Sequence, residues 1–128
     1  MIDINFYKAY RTANEIVTEL GKDYVYTDCS GTVAPDATCV YTFEGADGLI
    51  VGCFVGRFFE KLGIELADMR QGGGDSNDLI DRMVGRGLIK IDERSRAFLK
   101  MAQVMQDKGV PYGIMLDCAS DLSSDYSN

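Results

Sequence analysis

Apolar and polar positions follow two different periods along this chain, and each change of period marks an element. Phe6, Tyr10, Ala13, Val17 and Leu20 recur at spacings of four and three, which lines one face of a helix of about four turns. Asp3 or Asn5 suits its N-cap, and Gly21 suits a left-handed residue at its end. Residues 23–28 (DYVYTD) and 39–44 (CVYTFE) alternate instead, with aromatic and β-branched side chains, and predict two strands. A loop of about ten residues rich in Gly, Pro, Ser and Thr joins them, which predicts an antiparallel hairpin between these segments. Residues 45–48 (GADG) then close the second strand as a turn.

From about Leu49 the period becomes helical again. Val51, Phe54, Val55, Phe58 and Leu62 share a face, Gly52 and Gly56 lie on its flank, and Gly63 ends the helix. A helix apolar over most of its circumference belongs at the centre of a fold. Leu66 and Met69 face inward from a short turn, and residues 72–76 (GGGDS) form a loop. Asp75 or Ser76 caps a third helix carrying Leu79, Ile80, Met83 and Val84, which ends at Gly85 and Gly87. Residues 88–91 (LIKI) read as a short extended piece. Asp92 caps a fourth helix running to about Lys108, with Phe98, Met101, Ala102 and Met105 buried, and Gly109 and Pro111 stop it. Residues 111–118 (PYGIMLDC) read as a strand or a docked turn of helix, and 119–128 as a polar, acidic tail.

These elements predict a single α+β domain over 1–118. A small antiparallel sheet of two to four short strands packs with about four helices, the Gly-containing helix buried among them. Phe54, Phe58, Leu62, Phe98 and Met101 are expected in the core. A chain of 128 residues buries roughly two-thirds of its unfolded surface, so neither a metal nor a disulfide is needed for stability.

Charge and composition narrow the chemistry. The net charge of −7 disfavours general nucleic-acid binding, which needs a basic footprint. Arg82, Arg86, Lys90, Arg94, Arg96 and Lys100 are interleaved with acids and read as a solvated helix surface. No apolar run is long enough for a membrane span, and the N-terminal segment lacks the basic and apolar regions of a signal peptide, so the cytoplasm is the expected location. Cys29, Cys39, Cys53 and Cys118 form no CxxC pair and no histidine is present, so no metal or cofactor is expected. Cys53 reads as a small core residue, and Cys29 and Cys39 could pair only where conditions are oxidising.

The lack of histidine removes the commonest general base and every Ser-His-Asp or Cys-His arrangement. Asp47 with Asp28 or Asp36, and Asp117 with Asp107, are the carboxylate pairs left to consider, each more simply read as loop residues in water. Gly48, Gly52 and Gly56 fit neither GxxxxGK[ST] nor GxGxxG, so they read as packing residues; amides near Gly48 at the helix start are the remaining anion site. In residues 72–78 (GGGDSND), Asp75 and Asp78 would repel a phosphate. Tyr24, Tyr26 and Tyr41 on the two strands offer rigid contact surface, and Arg57 and Arg70 offer charge. Together with Gly48 and Gly52 they form the expected site for a small anionic ligand.

Two stretches also resemble small uncharacterised bacteriophage proteins of the actinophage type. They are residues 39–64 (CVYTFEGADGLIVGCFVGRFFEKLGI) and 98–116 (FLKMAQVMQDKGVPYGIML). Members of that group commonly carry a histidine in the central helix and a tryptophan before the last glycine; Arg57-Phe58-Phe59 and Tyr112 stand at those places here. The resemblance implies a phage accessory product expressed in the bacterial cytoplasm, with no activity to carry over. A non-enzymatic binding protein is therefore expected, one that sequesters a nucleotide-like signal or blocks a host factor, possible homo-oligomers included. The alternatives are an acidic inhibitor of a basic host protein and, last, a carboxylate-based hydrolase.

Overall fold

The computed structural model describes residues 1–28, 30–37, 40–69 and 76–126. In chain order it contains β1 (Ile2–Ile4), α1 (Phe6–Leu20), β2 (Thr42–Gly45), β3 (Gly48–Val51), α2 (Phe54–Lys61), a 3-10 turn (Leu66–Met69), α3 (Ser76–Gly85), β4 (Ile89–Ile91), α4 (Glu93–Asp107) and α5 (Tyr112–Tyr126). The class is α+β. Two separate two-stranded sheets stand where one antiparallel sheet was expected.

One pair is parallel: Ile2, Asp3 and Ile4 lie opposite Ile89, Lys90 and Ile91. The extended piece at 88–91 thus finds its partner at the very start of the chain, in residues that sequence reading used only as a cap. The other pair is antiparallel, from Thr42 opposite Val51 to Gly45 opposite Gly48. The expected turn at 45–48 is the hairpin turn itself. Leu49, Ile50 and Val51 leave the helix and form a strand, and α2 begins only at Phe54. Gly48 at φ +125° closes the turn, a conformation that side-chain-bearing residues rarely adopt. Short apolar runs satisfy both periods, and β-branched Ile50 and Val51 favoured the strand.

Residues 23–28 are not a regular strand; a single bridge joins Thr27 to Val33. The carbonyls of Lys22 and Tyr24 serve α5 instead, since Tyr112 N–H donates to Tyr24 O at 2.9 Å and Gly113 N–H to Lys22 O at 2.8 Å, while Tyr26 O accepts from Ala34 N–H in the following loop. The segment straps the N-terminus of α5 to the end of α1. Residues 112–126 are helical throughout, so α5 runs well into the stretch expected to be a tail. Ala119, at its start, is fully buried.

The Gly-containing helix is buried as expected: Phe54, Val55, Gly56, Phe58 and Phe59 of α2 are all in the core. Its glycines serve packing. A Cβ on Gly52 would strike Val40 O, and one on Gly56 would strike Tyr41 O. The chain before β2 therefore lies directly against α2 and its approach, held by Gly52 N–H to Tyr41 O and Cys53 N–H to Val40 O, both at 2.8 Å. This close approach offsets the roughly 1 kcal/mol that a glycine inside a helix costs.

Phe54 anchors an edge-to-face aromatic cluster, 6.1 Å from Phe98 and 5.4 Å from Tyr112 between ring centroids. Phe6 extends it, 6.2 Å from Phe98. Leu62 and Met101, expected in the core, are only partly buried at its margin. Asp92 does more than its predicted cap. One carboxylate oxygen accepts from Ser95 N–H of α4 at 2.7 Å, and the other from Phe6 N–H of α1 at 3.1 Å. One side chain thus satisfies open amides at two helix starts, beside the parallel strand pair.

Candidate functional site

The residues expected to bind an anionic ligand do not assemble into a site. Tyr26 and Tyr41 are buried, and so belong to the core rather than to an exposed sheet face. Tyr24 is half-buried and packs its ring 5.0 Å from Tyr112. The amides of the expected anion site are spent: Gly52 and Cys53 donate to the 40–41 backbone, and Phe54 N–H donates to Gln106 Oε1 at 2.7 Å. Gly48 sits at the exposed hairpin turn, and Arg70 lies outside the described residues. Arg57 is half-buried on α2, with its Nε buried and without a hydrogen-bond partner. The possible pairing of Cys29 with Cys39 also lies outside the described residues, while Cys53 is a buried free thiol as expected.

Gln106, buried in the last turn of α4, makes a polar junction within the aromatic core. Its Oε1 accepts from Phe54 N–H at the start of α2 and from the Tyr112 hydroxyl at 2.7 Å, joining α2, α4 and α5. Burial pushes the Tyr112 phenol far above its ordinary range, so it stays protonated and donates. These two hydrogen bonds hold α2, α4 and α5 together.

Concave surface with uncommitted groups lies elsewhere. A cleft of about 460 Å3 opens between α1, the Lys22–Asp23 turn and α5. Gly21, at φ +95°, ends α1 and turns the chain so that residues 22–23 meet the start of α5. Val17 and Leu116 form a buried apolar floor, Gly113 contributes bare backbone, and Pro111 and Ile114 form an apolar wall. Gly113 is required there, because a Cβ would come within 2.6 Å of Lys22 Cβ and 2.7 Å of Lys22 O. Ile114 is 52% exposed although the strap and helix around it are well packed.

Asn14, Lys22, Asp23 and Asp117 rim the cleft. The first-turn amides of α5 are consumed: Tyr112 and Gly113 donate to the strap, and Ile114 and Met115 donate to Pro111 O at 3.1 and 3.2 Å. The helix start therefore presents no free amides to an anion, in contrast to an N-terminal phosphate site. The size suits a ligand or one side chain with its flanks. Sequence reading named Asp117 only as a possible partner of Asp107. It missed Lys22, Asp23 and Ile114, because their meeting depends on the strap that residues 22–24 make with α5. The Pro-Tyr-Gly start of α5 was the available signal, since a glycine there invites close backbone approach.

A second, shallower hollow lies over the starts of α1 and α4, lined by Asn5, Phe6, Tyr7, Asp92, Glu93 and Arg94. Arg94 lies over the Phe6 ring at 5.5 Å and Asp92 is committed to its two caps, so little there is left to engage a ligand. Among the described residues, no group of three His, Cys, Asp or Glu side chains is placed to hold a metal ion, and no helix is long and apolar enough to cross a membrane. Comparisons with protein families, with curated proteins and with solved structures found no match.

Proposed function

We propose that this chain is a non-enzymatic binding protein, a phage accessory factor that acts in the bacterial cytoplasm by occupying a host factor through the α1–α5 cleft. One observation carries this role: Gln106 and Tyr112 are spent on joining helices, whereas the side chains of Lys22, Asp23 and Asp117 rim an apolar-floored cleft with no hydrogen-bond or ion-pair partner among the described residues. Acidic rim and apolar floor suit protein contact, where a few desolvated anchors carry the affinity and the charges choose the partner. The net charge of −7 supports a basic partner, and the resemblance of residues 39–64 and 98–116 to phage proteins supports the setting.

Native mass spectrometry of the chain purified from phage-infected bacteria tests the role. A complex of fixed stoichiometry with a host protein, loosened by salt, is the expected result. A free monomer with nothing bound would refute it.

Sequestration of a small anionic signal is a second reading, favoured by one observation. The buried Nε of Arg57 has no acceptor, and a guanidinium in that position gains from an incoming anion. The same spectrum would show such a ligand as an added mass, and Arg57→Gln would remove it.

A further inference from the structure

We infer that the α1–α5 cleft takes a basic segment of a partner protein, with one apolar side chain over Val17 and Leu116 and flanking lysines or arginines on Asp23 and Asp117. This rests on the proposed binding role and adds the chemistry of the partner. The carboxylates of Asp23 and Asp117 are exposed and meet no donor among the described residues. Elsewhere on the surface, Glu19, Asp68 and Asp81 are paired with Lys61, Arg86 and Arg96. Two carboxylates against the one ammonium of Lys22 leave the cleft acidic beside an apolar floor.

α5 contains no Lys or Arg, so it brings no basic residue to the cleft. A compact anion finds no free amide at the start of α5. A second copy of this chain would bring acid against acid, each copy carrying a net charge of −7.

Two fluorescein-labelled peptides test the inference on the full chain. In one, lysine alternates with serine around a central leucine; in the other, glutamate replaces each lysine. The lysine peptide should bind saturably and shift the backbone amide resonances of Asp23, Gly113, Ile114 and Asp117. Asp23→Asn with Asp117→Asn should weaken it by about tenfold, in line with charge pairs at an interface rim. Asp47→Asn, at the hairpin turn, should leave it unchanged. Lys22→Ser should tighten it, a gain that cannot come from misfolding. Ile114→Ser should weaken it without reducing its salt dependence.

Equal binding of the glutamate peptide would overturn the inference. So would resonance shifts confined to another face, equal weakening by Asp47→Asn, or a dimer that Ile114→Ser dissociates. If the peptide fails while native mass spectrometry still finds a stoichiometric host complex, the cleft chemistry is wrong and the binding role stands. If both fail, the role itself falls.

Discussion

Replacing Gln106 by leucine removes the junction between α2, α4 and α5 while nearly conserving volume. The wild-type Oε1 accepts two hydrogen bonds in a dry interior, from Phe54 N–H and from the Tyr112 hydroxyl, each at 2.7 Å. Leucine accepts neither. Two buried donors are left unpaired, at about 1–3 kcal/mol each. Leucine recovers up to about 1 kcal/mol by avoiding burial of an amide, so the expected net loss is about 2–4 kcal/mol. For a domain of this size that is a large part of the total stability.

Tyr112→Phe makes the complementary change. It deletes the hydroxyl but leaves Oε1 bonded to Phe54 N–H, so it should cost only about 1 kcal/mol. In the double variant the phenol is no longer present to be orphaned, and only Phe54 N–H lacks a partner. The combined loss should fall short of the sum of the singles by about 1–2 kcal/mol. Urea unfolding followed by far-UV circular dichroism reads all four proteins, with a common m-value as the check on comparable unfolded states. A Gln106→Leu loss below about 1 kcal/mol, or strict additivity in the cycle, would refute the account of this junction.

Other outcomes follow from single contacts. The Tyr112 phenol is raised by burial, so its protonated form is favoured by the fold; stability should hold below the unfolded phenol value near 10 and fall above it by up to about 1.4 kcal/mol per pH unit, a slope that Tyr112→Phe should reduce in alkaline unfolding curves. Gly56→Ala should gain about 1 kcal/mol in helix propensity but lose about 2–4 kcal/mol by forcing α2 off the Tyr41 carbonyl, so a net loss in melting temperature is expected and a gain would contradict the packing role. Asp92→Ala should cost about 2–3 kcal/mol because two helix starts lose an acceptor, whereas Asp92→Asn should recover at least half of that in the same unfolding assay.

Much of the fold was legible because long amphipathic segments carry their own signal. The first and fourth helices, their caps at Asn5 and Asp92, and the breaks at Gly21, Gly63 and Gly109 follow from local chemistry. The strands were less legible. Residues 49–51 fit a helix and a strand equally, and only Gly48 and the β-branched pair after it decide. Residues 2–4 carry too little pattern to announce a partner some 87 positions away, so the parallel pair had to be seen rather than read. The site suffered most. Tyr26 and Tyr41 have strand-like composition, but a half-polar aromatic serves a core as well as a surface. Asp23 and Asp117 are ordinary solvated acids in sequence, and their shared cleft arises only when the Lys22 carbonyl meets the Gly113 amide.

That backbone contact also explains why the cleft and the stability of the domain are separable. The strap draws on main-chain atoms of Lys22 and Tyr24, while the rim presents the side chains of Lys22, Asp23 and Asp117. Substituting Asp23, Asp117 or Ile114 therefore removes recognition groups without touching the hydrogen bonds that place them, and each should change stability by no more than about 0.5 kcal/mol. Gly113→Ala does the reverse. Its Cβ collides with Lys22, pushes the strap away from α5, and should degrade both stability and peptide binding while every rim side chain is still present. If Gly113→Ala left binding intact, the cleft would not be built by the strap, and the acidic rim would have to recognise its partner through charge alone.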